Sequence, residues 1–234
     1  MTIRAFAVLA FSLGVFPLAS SAQPSGRVAV GAGTASPSDL GRAFGNLVVG
    51  FGQVAPGLSA QRAYPVWWVA EAEARSSVWG SFSAGGRLQG RWSQADALYG
   101  DYAGTVDVVG RTRAVLAEVE VSQQLREGPL RAALHGGVVV TSTQITAEAV
   151  ATVEDQTERT SYRLTGSGTG PTVGASLLAE TRVGGIGLAA RLGARWGHVT
   201  ELDARETTPT SQTEGRLRLR HGFSGLTLTV GVGF

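Results

Sequence analysis

Along most of the chain, apolar and polar residues alternate with a period of two, the spacing that sends successive side chains to opposite faces of a β-strand. The last nine residues show it plainly. Leu226, Leu228, Val230, Val232 and Phe234 fall on one side, and Thr227, Thr229, Gly231 and Gly233 on the other. Nearer the start, Val28, Val30 and Ala32 share a face of a first strand over 27–34. Val66, Trp68, Ala70, Ala72 and Ala74 then oppose Glu71, Glu73 and Arg75. A turn at Ser76-Ser77 leads to a strand with Val78, Phe82, Ala84, Leu88 and Trp92 against Ser81, Ser83, Arg87, Gln89 and Arg91. Two hairpins follow. In the first, Val115, Ala117, Val119, Val121 and Leu125 alternate with Glu118, Glu120, Ser122 and Gln124, and Arg126–Pro129 supplies turn chemistry. The return strand sets Leu130, Ala132, Leu134, Val138 and Val140 against Arg131, His135 and Thr141. In the second, Val173, Ala175, Leu177 and Ala179 oppose Ser176, Glu180 and Arg182. Gly184-Gly185 turns the chain, and Ile186, Leu188, Ala190, Leu192, Ala194 and Trp196 oppose Arg191 and Arg195.

Between these strands lie polar stretches read as loops: 35–64, Ser93–Gly104, Ser142–Gly168 and His198–Gly225. The first holds a helix start at Ser36–Asp39 and an apolar piece, Asn46–Val54. The count is about eight strands, or ten if Asn46–Val54 is extended. Strands of roughly ten residues, joined in alternation by tight turns and long loops, are the pattern of a transmembrane antiparallel up-and-down β-barrel. With Phe234 on the periplasmic side, the Arg126–Pro129 and Gly184–Gly185 turns fall on that side too, and every long loop falls outside. Trp68, Trp92 and Trp196 then form an aromatic belt near the outer strand ends.

Composition sharpens this picture. Met1-Thr-Ile-Arg4, an apolar run from Ala5 to Leu18 and the small residues Ala19–Ala22 have the parts of a secretory signal peptide. Cleavage after Ala22 would leave residues 23–234 as one barrel domain, exported through the periplasm. The absence of Cys excludes disulfides, thiolate metal sites and a lipoprotein anchor, and 33 glycines suit an all-β chain with many turns. All 20 basic residues are Arg, the formal net charge is only +2, and no basic run stands apart to engage nucleic acid.

The polar strand faces collect Glu71, Glu73, Glu118, Glu120 and Glu180 with Arg75, Arg87, Arg91, Arg131, Arg182, Arg191 and Arg195. An eight-stranded barrel has an interior just wide enough for side chains to fill, so these groups are expected to pair and close the lumen. Gly174, Gly187, Gly193, Gly231 and Gly233 share that inward face and would instead favour a narrow channel.

The closing strand, with Leu228, Val230, Val232 and a terminal Phe234, resembles the signal read by the barrel-assembly machinery in bacterial outer-membrane barrels. Thr229 stands where members often carry Gly. From Arg27 to Phe234 the chain resembles the small barrels of the OmpA, OmpX and OmpW kind. The resemblance implies an outer-membrane location, contact with membrane lipid, no cofactor, and a structural or surface-interaction role through loops that could hold an extracellular ligand. A passive channel for small solutes is the alternative. A lipid-modifying ester hydrolase comes third, because His221 and Ser224, with Glu201 or Glu214, resemble a nucleophile–base set only loosely. His135 is expected among the lumen charges and His198 at a loop base. No metal-ligand spacing appears, and Gly166–Gly170 precedes no helix that would make it a phosphate loop.

Overall fold

The computed structural model describes residues 25–34, 39–53, 57–58, 60–62, 66–101, 104–125, 128–153, 156–207, 215–222 and 224–234. The leader-like segment 1–22, Ser36–Ser38 of the helix start and Arg126–Glu127 of one turn lie outside these residues.

Antiparallel strands close into a ring: β1 (Ser25–Thr34), β3 (Val66–Trp79), β4 (Phe82–Asp101), β5 (Gly104–Gln124), β6 (Leu130–Val153), β7 (Gln156–Val183), β8 (Ile186–Thr207), and a last stave made of β9 (Gly215–Gly222) and β10 (Gly225–Gly233). β10 pairs β8 on one side and β1 on the other, with Val30 opposite Val230, so the ring has no free edge there. Among the described residues this is an eight-staved up-and-down barrel. A three-residue strand, β2 (Ala60–Arg62), extends the ladder beside β4. The apolar piece Asn46–Val54 adds no strand: up to Gly52 it belongs to helix α1 (Asp39–Gly52), which rules out a ten-strand ring.

One end of the barrel carries the short turns and both ends of the strand set, Ser25 and Phe234. The first of these turns is at Gly80-Ser81, not Ser76-Ser77, because Gly80 takes φ +51°, open to Gly at no steric cost, whereas the two serines continue β3. Gly184 and Gly185 turn the chain as the sequence suggests, both with positive φ. At the other end the strands are far longer than expected. The described residues of Ser93–Gly104 and Ser142–Gly168, and most of those of His198–Gly225, are strand rather than loop, and β6 and β7 reach 24 and 28 residues.

The reason is a reversal of faces. Near the turn end, apolar side chains point outward: along β8 Ile186, Leu188, Leu192 and Trp196 are exposed, while Arg191 and Arg195 are buried. Beyond that band polar residues point outward. Gln94, Arg111, Arg113, Ser142 and Glu148 are exposed, and Ala95, Ala97, Val108, Leu116, Ile145 and Ala147 are buried inside. Helix α1 packs into this apolar end. Phe44 and Val48, one turn apart, join a core with Trp67, Val106, Val139, Leu164 and Val199, and Leu47 and Phe51 pack beside them.

Candidate functional site: the ion-paired lumen

Strand register builds the lumen from residues directly across from one another. Arg27 and Arg87 both face Glu73, Arg87 also faces Glu118, Gln89 faces Glu71, and Glu120 faces His135. Cross-strand Cβ atoms lie about 5 Å apart, which long Arg and Glu side chains readily bridge.

Two linked clusters result. In the first, Arg27 Nη2 donates to Glu71 Oε1 and to Glu73 Oε2, both at 2.7 Å. Arg191 joins Glu73 to Glu120, donating from Nη2 to Glu73 Oε2 and from Nη1 to Glu120 Oε2, both at 2.6 Å. In the second, Glu118 Oε2 accepts from Arg87 Nη2 at 2.6 Å and from Arg195 Nη2 at 2.5 Å, while its Oε1 accepts from Thr172 at 3.2 Å. His135 Nδ1 lies 3.4 Å from Glu118 Oε1. Gln89 ties the clusters together: its amide donates to Glu71 at 3.0 Å and its carbonyl accepts from Arg91 at 2.7 Å and from Arg195. Thr229 Oγ1 completes Glu71 at 3.1 Å. These side chains are buried, and every one of the eight staves contributes at least one of them.

Nearer the turn end the network thins. Arg75 bonds Glu180 and lies 3.7 Å from Glu73, and Arg131 lies 3.7 Å from Glu180 and donates to Ser83 at 3.0 Å. Arg182, expected in the network, is exposed at the rim and makes no ion pair among the described residues. Alternation gives a residue's face but not its depth, and Arg182 is one step from the turn. Conversely, Arg27 joins the network beyond the residues the polar faces mark, because the same alternation that sets Val28 outward sends Arg27 inward.

The inward glycines differ in the space beside them. A side chain at Gly174 would meet His135, and one at Gly231 would meet Ala29, so neighbours already fill those spaces. Gly187 and Gly233 instead border a cavity at the turn end. Trp68 and Trp92 are exposed directly opposite each other on the outer face, with Trp196 exposed farther round the ring. At the turn end, Trp79 stacks on Phe82 with ring centroids 6.3 Å apart. Leu228, Val230, Val232 and Phe234 are exposed on the outer face of β10. Ser224 shares a small surface notch with His198 and Trp196; the side chains of His221, Glu201 and Glu214 lie outside the described residues.

No protein-family model and no curated protein matches the chain. Solved structures of similar topology do. The attachment invasion locus protein Ail of Yersinia pestis is 9% identical with a TM-score of 0.39, over 91% of this chain and 99% of that one. The same protein in complex with the heparin analogue sucrose octasulfate gives 11% identity and a TM-score of 0.36, over 91% and 99%. Neisserial surface protein A gives 10% identity and a TM-score of 0.26, over 92% and 98%. This chain's own strands close the ring, and the side chains they turn inward make its lumen. Each carboxylate of the central network is shared by two or more guanidinium groups, and each guanidinium is anchored on a different strand from its partners. Chemically, the arrangement is a brace. It ties strands together across the inside of the ring.

Proposed function

We propose that the protein is an outer-membrane β-barrel whose lumen is sealed by Glu/Arg ion pairs, and that it serves a structural or surface-interaction role through the part of the barrel projecting from the membrane. The reversal of faces along each long strand carries this reading. Outward apolar residues followed by outward polar ones suit a barrel standing in lipid and continuing into water. From Ile186 to Trp196 the outer face of β8 is apolar throughout. Ten residue steps span about 33 Å, or about 25 Å along the axis of a strand tilted by roughly 40°, which is the height of a membrane barrel's apolar band.

In this reading residues 1–22 are removed on export, residues 23–234 form the barrel, and the strand ending at Phe234 is what the assembly machinery engages. Loops and strand extensions beyond the tryptophans are the surface for an extracellular ligand. The protein needs no cofactor and performs no catalysis. Two experiments test the proposal together. A heat-modifiable band on a gel would mark a membrane barrel, and planar bilayers would then record no single-channel current. A protein that stays soluble without detergent would sink the membrane assignment, and stable openings would sink the sealed lumen.

A further inference from the structure

A cavity of about 460 Å³ opens at the turn end of the barrel, below the ion-paired lumen. Its charged lining among the described residues is Arg27, Arg75, Arg131 and Arg182 with Glu73 and Glu180, four guanidinium groups against two carboxylates. Both carboxylates are already shared. Glu73 is engaged by Arg27, Arg75 and Arg191, and Glu180 by Arg75 and Arg131. Two of the lining guanidinium groups each keep one donor without a hydrogen bond. Arg27 Nε, on a side chain only 6% exposed, and Arg75 Nη1 are buried without a hydrogen-bond acceptor. Arg27 is ion-paired through Nη2, and Arg75 through Nη2 with its Nη1 3.7 Å from Glu73, so what stays unmet beside the surplus of guanidinium is hydrogen-bond acceptance, which an acceptor-rich anion supplies and a cation does not.

We propose that this cavity binds a phosphate group carried on a small polar head group, of the glycerophosphate class. Phosphate supplies several acceptor oxygens, and guanidinium forks meet it bidentately. The space exceeds what a bare phosphate occupies and leaves room for the glycerol unit. Gly26, Gly187 and Gly233 contribute no side chain to its wall, which keeps the mouth open. Arg182 and Arg131 stand at the rim, half-buried or exposed, where they would meet the ligand first. Leu188 and Phe234 border the same mouth with their side chains exposed on the apolar outer surface, so a head group seated inside could keep its acyl chains against the barrel wall. Phosphate could thus arrive on a lipid of the adjacent leaflet or on a free solute. Only the lipid source depends on the membrane assignment proposed above.

Isothermal titration of the detergent-solubilised, full-length barrel with sn-glycerol 3-phosphate tests the site. Heat-modifiability on a gel serves as a separate check that each sample is a folded barrel. Binding that weakens by about tenfold or more in Arg182→Ala/Arg131→Gln is the expected result. Arg182→Ala alone keeps the lumen network intact, so a weaker but definite loss there excludes misfolding as the cause. Native mass spectrometry of barrel released from phosphatidylglycerol vesicles separates the sources. One retained phospholipid, lost in the double variant, points to the lipid; glycerophosphate binding with no retained lipid points to the solute. No binding by a heat-modifiable barrel, or equal affinity in wild type and both variants, overturns the site while leaving the membrane barrel standing.

Discussion

The two halves of the lumen are filled by opposite chemistries. At the turn end the filling is ionic, from Arg27, Glu73, Arg87, Glu118, Glu120 and Arg191; at the far end it is an apolar core closed by α1. The difference follows from what lies outside each half. Where the outer face is apolar, an apolar interior would make every strand a continuous hydrophobic run. Such runs are hazardous in any chain that is still unfolded in water. A polar interior preserves alternation, and charge pairing keeps that interior compact. Where the outer face is polar, alternation is preserved by the reverse choice, and the strand can bury apolar residues as any soluble sheet does. The interior is therefore set by the exterior, residue by residue along one strand.

The largest effect should come from breaking the ionic half at its most shared carboxylate. Glu118→Ala leaves Arg87 and Arg195 facing each other without their common acceptor and is expected to cost about 3–5 kcal/mol, read as a lower urea midpoint by tryptophan fluorescence. Replacing Glu118 and Arg87 together by Leu and Met should cost less than Glu118→Ala alone, because only one charge then remains unmatched. A more severe loss in the double variant would refute the shared-acceptor account. In the apolar half, Phe44→Ala removes the ring that seats α1 and is expected to cost about 3 kcal/mol. That loss should be local: amide exchange rises in α1, the urea transition of the barrel moves little, and no channel current appears because the ionic half still fills the bore. Current from Phe44→Ala alone would show that the helix, not the ion pairs, is the seal.

How far the sequence could be read divides along the same line. Within the apolar-outside band the contrast between faces is strong, as in Leu130, Leu134 and Val138 against Arg131 and His135, and the strands and their inward charges are plain. Beyond the band the inward residues are often small, such as Ala95, Ala97 and Ala147, and their neighbours are Asp96, Thr146 and Glu148. Weak contrast in reversed phase reads as polar loop. Helix α1 was hidden for another reason. Gly41, Gly45, Gly50 and Gly52 lower its intrinsic helicity, so its apolar Leu47–Phe51 run resembles a strand, and only packing against the barrel core decides for helix. Arg27 stood beside Ala29 and Gly31 with no second charge on its face to mark it.

The smallest effect is expected at Arg182, and it draws the boundary of the ionic half. Arg182 shares its inward alternation with Glu180 yet is exposed at the rim and makes no ion pair among the described residues. Arg182→Ala should change unfolding free energy by no more than about 0.5 kcal/mol, as for other surface charges outside a network. Arg131→Gln, one step deeper, loses a bond to Ser83 and proximity to Glu180 and should fall between Arg182→Ala and Glu118→Ala. A graded series from rim to centre would mean that solvent access, rather than the mere presence of an opposite charge, sets what each ion pair contributes. If Arg182→Ala proved as damaging as Glu118→Ala, the braced region would have to extend to the turns, and the cavity at that end would belong to the brace.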